Sequence, residues 1–158
     1  HITKGTDLII KTCQVLNKRN IKYKWYVLGA GPMKKYQKMV FDSDVAEQLE
    51  LVSPKSNPFP YLKEVDIYVQ PSQYEGKSNA INEAKALSKP IIITRFKTSS
   101  SIINHMENGL ITEMNPNSLA DAILQLAEDE TLRNKFRDYW NANFKSNEEQ
   151  ANKIFNLI

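Results

Sequence analysis

Two carboxylates, Glu75 and Glu83, lie eight positions apart, and between them runs the polar stretch Gly76-Lys77-Ser78-Asn79. A carboxylate in the first turns of a helix accepts two hydroxyl protons at once, which suits a vicinal diol such as a ribose or a sugar. Where a helix starts, backbone N–H groups are left without intrahelical partners, so Gly76, Lys77, Ser78 and Asn79 would offer donors to a phosphate. Ser78 also has the right type and place to cap the helix. Lys4-Gly5 opens another helix from a loop, and a lysine there would neutralise a diphosphate leaving group without a metal. The bland alternatives are a solvated helix glutamate, an ordinary turn residue and a surface lysine. Position is what raises these residues above them.

Other chemistries find little footing. Two histidines, His1 and His105, and one cysteine, Cys13, make neither a Ser-His-Asp set nor a metal-ligand cluster. Cys13 is spaced with Ile9 and Leu16 as a core residue, and a single thiol excludes an internal disulfide framework. The turn Gly29-Ala30-Gly31-Pro32 brings backbone close to a neighbour or ligand but lacks the third glycine of a dinucleotide fingerprint. The net charge of +3 is spread along the chain, which gives nucleic-acid binding no support. No apolar run approaches the ~20 residues that cross a bilayer, and no signal peptide is expected at the start of the chain.

Elements that position these residues follow from periodicity. Val65–Gln70 predicts a buried strand, and apolar residues at 80, 81, 84 and 87 predict the helix carrying Glu83. Upstream, the pattern predicts a helix over 6–17 capped by Thr6 or Asp7, a strand over 23–28, a helix over 33–48 and a strand over 49–52. A helical turn over 61–64 follows Asn57-Pro58-Phe59-Pro60. Downstream come an apolar strand over 90–94, a short helix within 97–106, a strand over 110–112 and helices over 116–128, around Leu132–Phe144 and over 147–158. Strands alternating with helices at this spacing predict an α/β chain of one domain, a Rossmann-like open parallel sheet with helices on both faces. Ligands of such sheets bind at the carboxyl ends of the strands, where the loop holding Glu75 lies.

The chain resembles the carboxyl-terminal, donor-binding domain of GT-B retaining glycosyltransferases of group 1 (family 4). Glu75 and Glu83, with seven residues between them, match that family's EX7E motif. They are embedded in Pro71-Ser72-Gln73-Tyr74-Glu75-Gly76 and followed by Lys89-Pro90-Ile91-Ile92. Lys4-Gly5, Gly29-Ala30-Gly31-Pro32, Asp66-Ile67-Tyr68-Val69 and Asn108-Gly109-Leu110 match as well. The resemblance implies that Glu83 holds the donor ribose and that Glu75 contacts the donor sugar near the reacting centre, as the catalytic residue. It further implies that Lys4, Gly5, Gly31, Gly76, Lys77, Ser78 and Asn79 meet the diphosphate or sugar, and that Val52 or Ser53 meets the base. No metal or other cofactor is implied. The implied donor is a nucleotide-diphosphate sugar and the implied acceptor a glycan or lipid-linked acceptor. The resemblance implies that anomeric configuration is kept, by a front-face route that does not make Glu75 a nucleophile.

The resemblance also implies that 1–158 is a fragment of a cytoplasmic enzyme. Its acceptor domain and first strand would lie upstream of His1, and any peripheral attachment to the inner membrane face would run through that domain. Where relatives have Gly-Phe-Gly after the first glutamate, this chain has Gly76-Lys77-Ser78, which bears on donor preference. Two alternatives share the fold: a nucleotide-sugar epimerase, which would want further acid/base residues, and a nucleotide- or protein-binding module without chemistry. With the other domain missing, the aromatic stretch 136–155 is expected to expose apolar surface or to drive association between copies.

Overall fold

A computed structural model describes residues 5–29, 33–55, 57–74 and 78–144. Seven helices and five strands alternate along these residues: α1 (Thr6–Lys18), β1 (Trp25–Leu28), α2 (Met33–Phe41), β2 (Leu49–Val52), α3 (Phe59–Glu64) and β3 (Tyr68–Gln70). They continue with α4 (Asn79–Ala86), β4 (Ile91–Thr94), α5 (Ser99–Ile102), β5 (Leu110–Thr112), α6 (Pro116–Glu128) and α7 (Glu130–Phe144). Every strand pairing is parallel: β1 with β2 in one ladder, and β3-β4-β5 in another.

Side-chain alternation sorts the helices onto two faces. On one, Ile92 and Leu110 pack with Leu119, Ala122 and Leu126 of α6, while Ile9 and Cys13 of α1 pack with Val40 of α2 and Leu49 of β2. On the other, Ile91, Ile93 and Ile111 pack with Ile81 and Ala84 of α4 and with Ile103. β4 is buried along its whole length, as its unbroken apolar run predicts for a strand covered on both sides. α7 crosses from one layer to the other. Its Phe136 is fully buried beside Ile92 and Leu110, and its Trp140 lies beside Ile93 and donates to the Asn108 carbonyl at 2.9 Å. Burying a side chain of Phe136's size contributes about 2–3 kcal/mol. The expected exposure of the aromatic stretch fails at these two residues, because the chain's own core takes them in. The helix expected over 147–158 lies outside the described residues.

Element boundaries shift where polar chemistry or proline competes with periodicity. α2 stops at Phe41 instead of running to 48, because Ser43 bonds back to the Val40 carbonyl at 2.7 Å and turns the chain. Val45, fully buried, then anchors the turn to the core. α3 starts two residues earlier than expected, with Pro60 in its first turn, where a missing N–H costs nothing. Strands expected over 23–28 and 65–70 form ladder bonds only from Trp25 and Tyr68. The short helix expected within 97–106 is the four-residue α5. Neither Thr6 nor Asp7 caps α1; Gly5 does, without a side chain.

Candidate donor site at the strand ends

The site begins with a turn that is held firmly. Ser72, which follows β3 and Pro71, is fully buried. Its carbonyl accepts from the Thr94 hydroxyl at 2.7 Å, and its own hydroxyl accepts from Gln70 Nε2 at 2.8 Å. Thr94 belongs to β4, so the ends of two adjacent strands are tied together just before the loop. Lys89 does a similar service on the far side of α4: its ammonium donates to the Lys63 and Val65 carbonyls at 2.6 and 2.9 Å, closing the end of α3. Burial of its stem pushes the Lys89 pKa down. The Pro-Ser and Lys-Pro flanks of the motif are thus scaffold.

Ser78 caps α4 by accepting from the Ile81 N–H at 3.4 Å, which satisfies one of the orphan donors and leaves the others pointing out of the helix end. One turn on, Glu83 projects from α4 into a cavity that Ser78, Asn79, Leu28, Gly29 and Pro71 also line. Desolvation in this half-buried position pushes the Glu83 pKa up. Among the described residues no donor or cation pairs with its carboxylate. A desolvated carboxylate with free acceptor capacity suits a neutral diol, whose hydroxyls would replace lost water without bringing a charge.

Opposite α4 stands the start of α1. Gly5 has φ +72°, a left-handed conformation that glycine adopts freely. A Cβ there would lie 1.8 Å from the Pro71 carbonyl oxygen, so α1 begins in direct backbone contact with the end of β3. Its first-turn residue Thr6, buried, lines the same cavity. Two helix N-termini therefore border one cleft at the carboxyl ends of the strands, where their partial positive charge favours a bound anion.

The structure brings Ser78, Asn79 and Glu83 around this cleft, while Gly5 does not line it and reaches it only through its contact with Pro71. Val52 ends β2 with its side chain buried and is not among the residues lining the cavity. Lys4, Gly31, Glu75, Gly76 and Lys77 lie outside the described residues. Thr6 and Tyr61, both cavity-lining, were not among the expected site residues. Thr6 had a usable signal, being next to Gly5 at the same strand end, whereas Tyr61 reaches the cavity through packing of α3 that no local pattern encodes.

The sequence profile of the family described as "Glycosyl transferases group 1" matches residues 1–142. The chain belongs to this family. It is 31% identical over 137 residues to the poly(ribitol-phosphate) alpha-N-acetylglucosaminyltransferase of Staphylococcus aureus, covering 85% of this chain and 28% of that protein. A crystal structure of a mutant TarM from S. aureus, in complex with fondaparinux, alpha-GlcNAc-glycerol and UDP, superposes with a TM-score of 0.82 at 29% identity, over 98% of this chain and 33% of that one. The crystal structure of the C-terminal domain of a group 1 glycosyl transferase (LpcC) from Francisella tularensis gives 0.78 at 26% identity, over 94% of this chain and 81% of that domain. The chain spans about a third of the length of the curated relatives it matches, between 28% and 36% for three of them. It is a GT-B glycosyltransferase domain of the carboxyl-terminal type, with the parallel α/β architecture that type requires. Among the described residues, no helix is long and apolar enough to cross a membrane.

Proposed function

We propose that this chain is the donor-binding half of a retaining glycosyltransferase that moves a sugar from a nucleoside-diphosphate sugar to a glycan or lipid-linked acceptor. The observation that carries the proposal is the cleft between the starts of α1 and α4, with the desolvated carboxylate of Glu83 on its wall. Glu83 takes the ribose diol. The backbone donors of Gly76, Lys77, Ser78 and Asn79, together with Lys4, Gly5 and Gly31, hold the diphosphate. Glu75 meets the donor sugar. Val52 turns its side chain into the core, so its backbone is the group that meets the base at the end of β2. Lysine and helix-end charge neutralise the leaving diphosphate, and the reaction uses no metal or other cofactor. UDP in the S. aureus TarM structure makes uridine the first base to try. The acceptor site belongs to a second domain of the same cytoplasmic polypeptide, which also carries any peripheral attachment to a membrane. Residues 1–158 alone are then expected to bind nucleotide weakly and to transfer nothing, since a cleft between domains is incomplete in one half.

Screening UDP-, GDP- and ADP-sugars by thermal shift tests the proposal: one set should raise the melting temperature as its concentration passes Kd. In calorimetry Glu83→Ala should weaken that donor by about 5- to 150-fold, the equivalent of roughly 1–3 kcal/mol for a hydrogen bond to a charged group. No shift with any donor, or unchanged affinity in the variant, would sink the assignment. Glu83→Gln separates binding from stability. Because the folded-state pKa of Glu83 is raised, the ionised carboxylate opposes folding, and stability is recovered as pH falls from the folded pKa to the unfolded one. The glutamine variant should therefore melt higher than the parent at pH 7 and lose that advantage below about pH 4, while binding donor less well.

A further inference from the structure

Glu83 stands on a helix that the sheet alone holds loosely. α4 has eight residues, and of these only Ile81 and Ala84 are buried, packed on Ile91 and Ile93 of β4. Packing sets a helix's rotation through the side chains it interlocks, and an alanine interlocks little.

The firmer contacts leave α4 on its other side. A two-residue step carries a helix about 200° round, so Lys85 projects almost opposite Glu83. Its ammonium donates to the Ile102 carbonyl at the end of α5 at 2.8 Å, and it stands 4.7 Å from the centre of the Trp140 ring in α7. That ring is itself fixed. Its N–H is bonded to the carbonyl of buried Asn108, and Tyr139 meets it edge-on with ring centres 5.0 Å apart. Burial pushes the Lys85 pKa down, so the cation is held here against a desolvation cost.

One turn on, the Ser88 hydroxyl donates to Asn141 Oδ1 of α7 at 2.7 Å. Ser88 also closes the helix: its N–H returns to the Lys85 carbonyl and that of Lys89 to the Ala84 carbonyl, both at 2.9 Å. This closing turn needs a left-handed residue, usually glycine, and Ser88 adopts it at φ +52°. What serine adds over glycine is the bond to α7.

We propose that Lys85 and Ser88 are positioning residues for the donor: by clamping the back of α4 to α5 and α7, they fix the rotation of the helix and the reach of the Glu83 carboxylate into the cleft. The inference rests on Glu83 as the ribose-binding group. A slight rotation of α4 displaces the carboxylate at the tip of its side chain most, and misplacement by about 1 Å is enough to lose an aligned contact.

Calorimetric titration of the longer protein with UDP, or with GDP or ADP where the thermal screen selects that base, tests this. Lys85→Met keeps the apolar stem and removes the cation, and affinity should fall about tenfold. Lys85→Arg, with a cation for the ring and a donor for Ile102, should recover most of the loss. In a Glu83→Ala background Lys85→Met should change nothing further, because it acts through that carboxylate. Ser88→Gly separates alignment from stability. Freed of the left-handed strain it should melt at or above the parent temperature, while affinity falls about threefold. Should Lys85→Met fail to fold, Ser88→Gly decides alone. Parent-like affinity in these variants overturns the proposal, as does an undiminished Lys85→Met effect once Glu83 is gone, or affinity that falls only in step with melting temperature. If Glu83→Ala also binds like the parent, the donor reading falls as well; if Glu83→Ala alone weakens binding, that reading stands without the clamp.

Discussion

Gly5→Ala is expected to lower the stability of this chain by about 3–5 kcal/mol and its melting temperature by roughly 10 °C. Two costs combine. The left-handed backbone at φ +72° costs a residue with a Cβ about 1–2 kcal/mol. The larger cost is steric, because that Cβ would sit 1.8 Å from the Pro71 carbonyl oxygen and 2.8 Å from its carbon. Neither neighbour is a side-chain tip that can swing away. Pro71 leads into Ser72, whose carbonyl is tied to Thr94, so α1 itself must lift off the end of β3. Donor affinity should fall with stability, since Thr6 and the α1 N-terminus move out of the cleft. Thermal melts and calorimetry of the one variant check both; stability within 1 kcal/mol of the parent would show that the contact yields.

Glu75→Gln should produce the other large effect, this time on turnover in the longer enzyme. On the proposed assignment Glu75 meets the donor sugar at the reacting centre, and removing its charge should cut kcat on the order of 10²–10³-fold, the scale seen when one preorganised electrostatic group is lost. Nucleotide affinity should stay nearly unchanged, because the proposed assignment gives the ribose and diphosphate contacts to other residues. Paired measurements on Glu75→Gln and Glu83→Ala therefore split the motif into a chemical half and a binding half. A kcat that survives Glu75→Gln would show that this charge is not used at the reacting centre.

How much of this was legible beforehand depends on what each residue answers to. The helix carrying Glu83 was readable because Ala80, Ile81, Ala84 and Leu87 repeat at helical spacing, and β4 because Ile91–Ile93 forms a continuous apolar run between proline and threonine. Glu83 itself followed from its distance to Glu75. Gly5 as the α1 cap did not, since sequence preference points to Thr6 or Asp7, and the glycine is required by Pro71, sixty-six positions away. The over-long helix at 33–48 has a similar cause: Val45 continues the apolar rhythm but is buried from a turn, where Ser43 and the neighbouring aspartates break the helix. The flanks of the motif act as scaffold, a role their match to the motif does not predict. Ser72 and Lys89 face backbone carbonyls and side chains of the scaffold and shape the loop from behind.

Cys13 deserves a last consequence. It is the chain's one thiol, it lies with no exposed surface between α1 and its neighbours, and burial pushes its pKa to about 11. At neutral pH almost none of it is thiolate, so alkylating reagents have nothing to attack until α1 detaches. The rate at which the thiol is labelled thus clocks the opening of the helix that borders the cleft, and a bound donor would slow that clock without any probe being introduced.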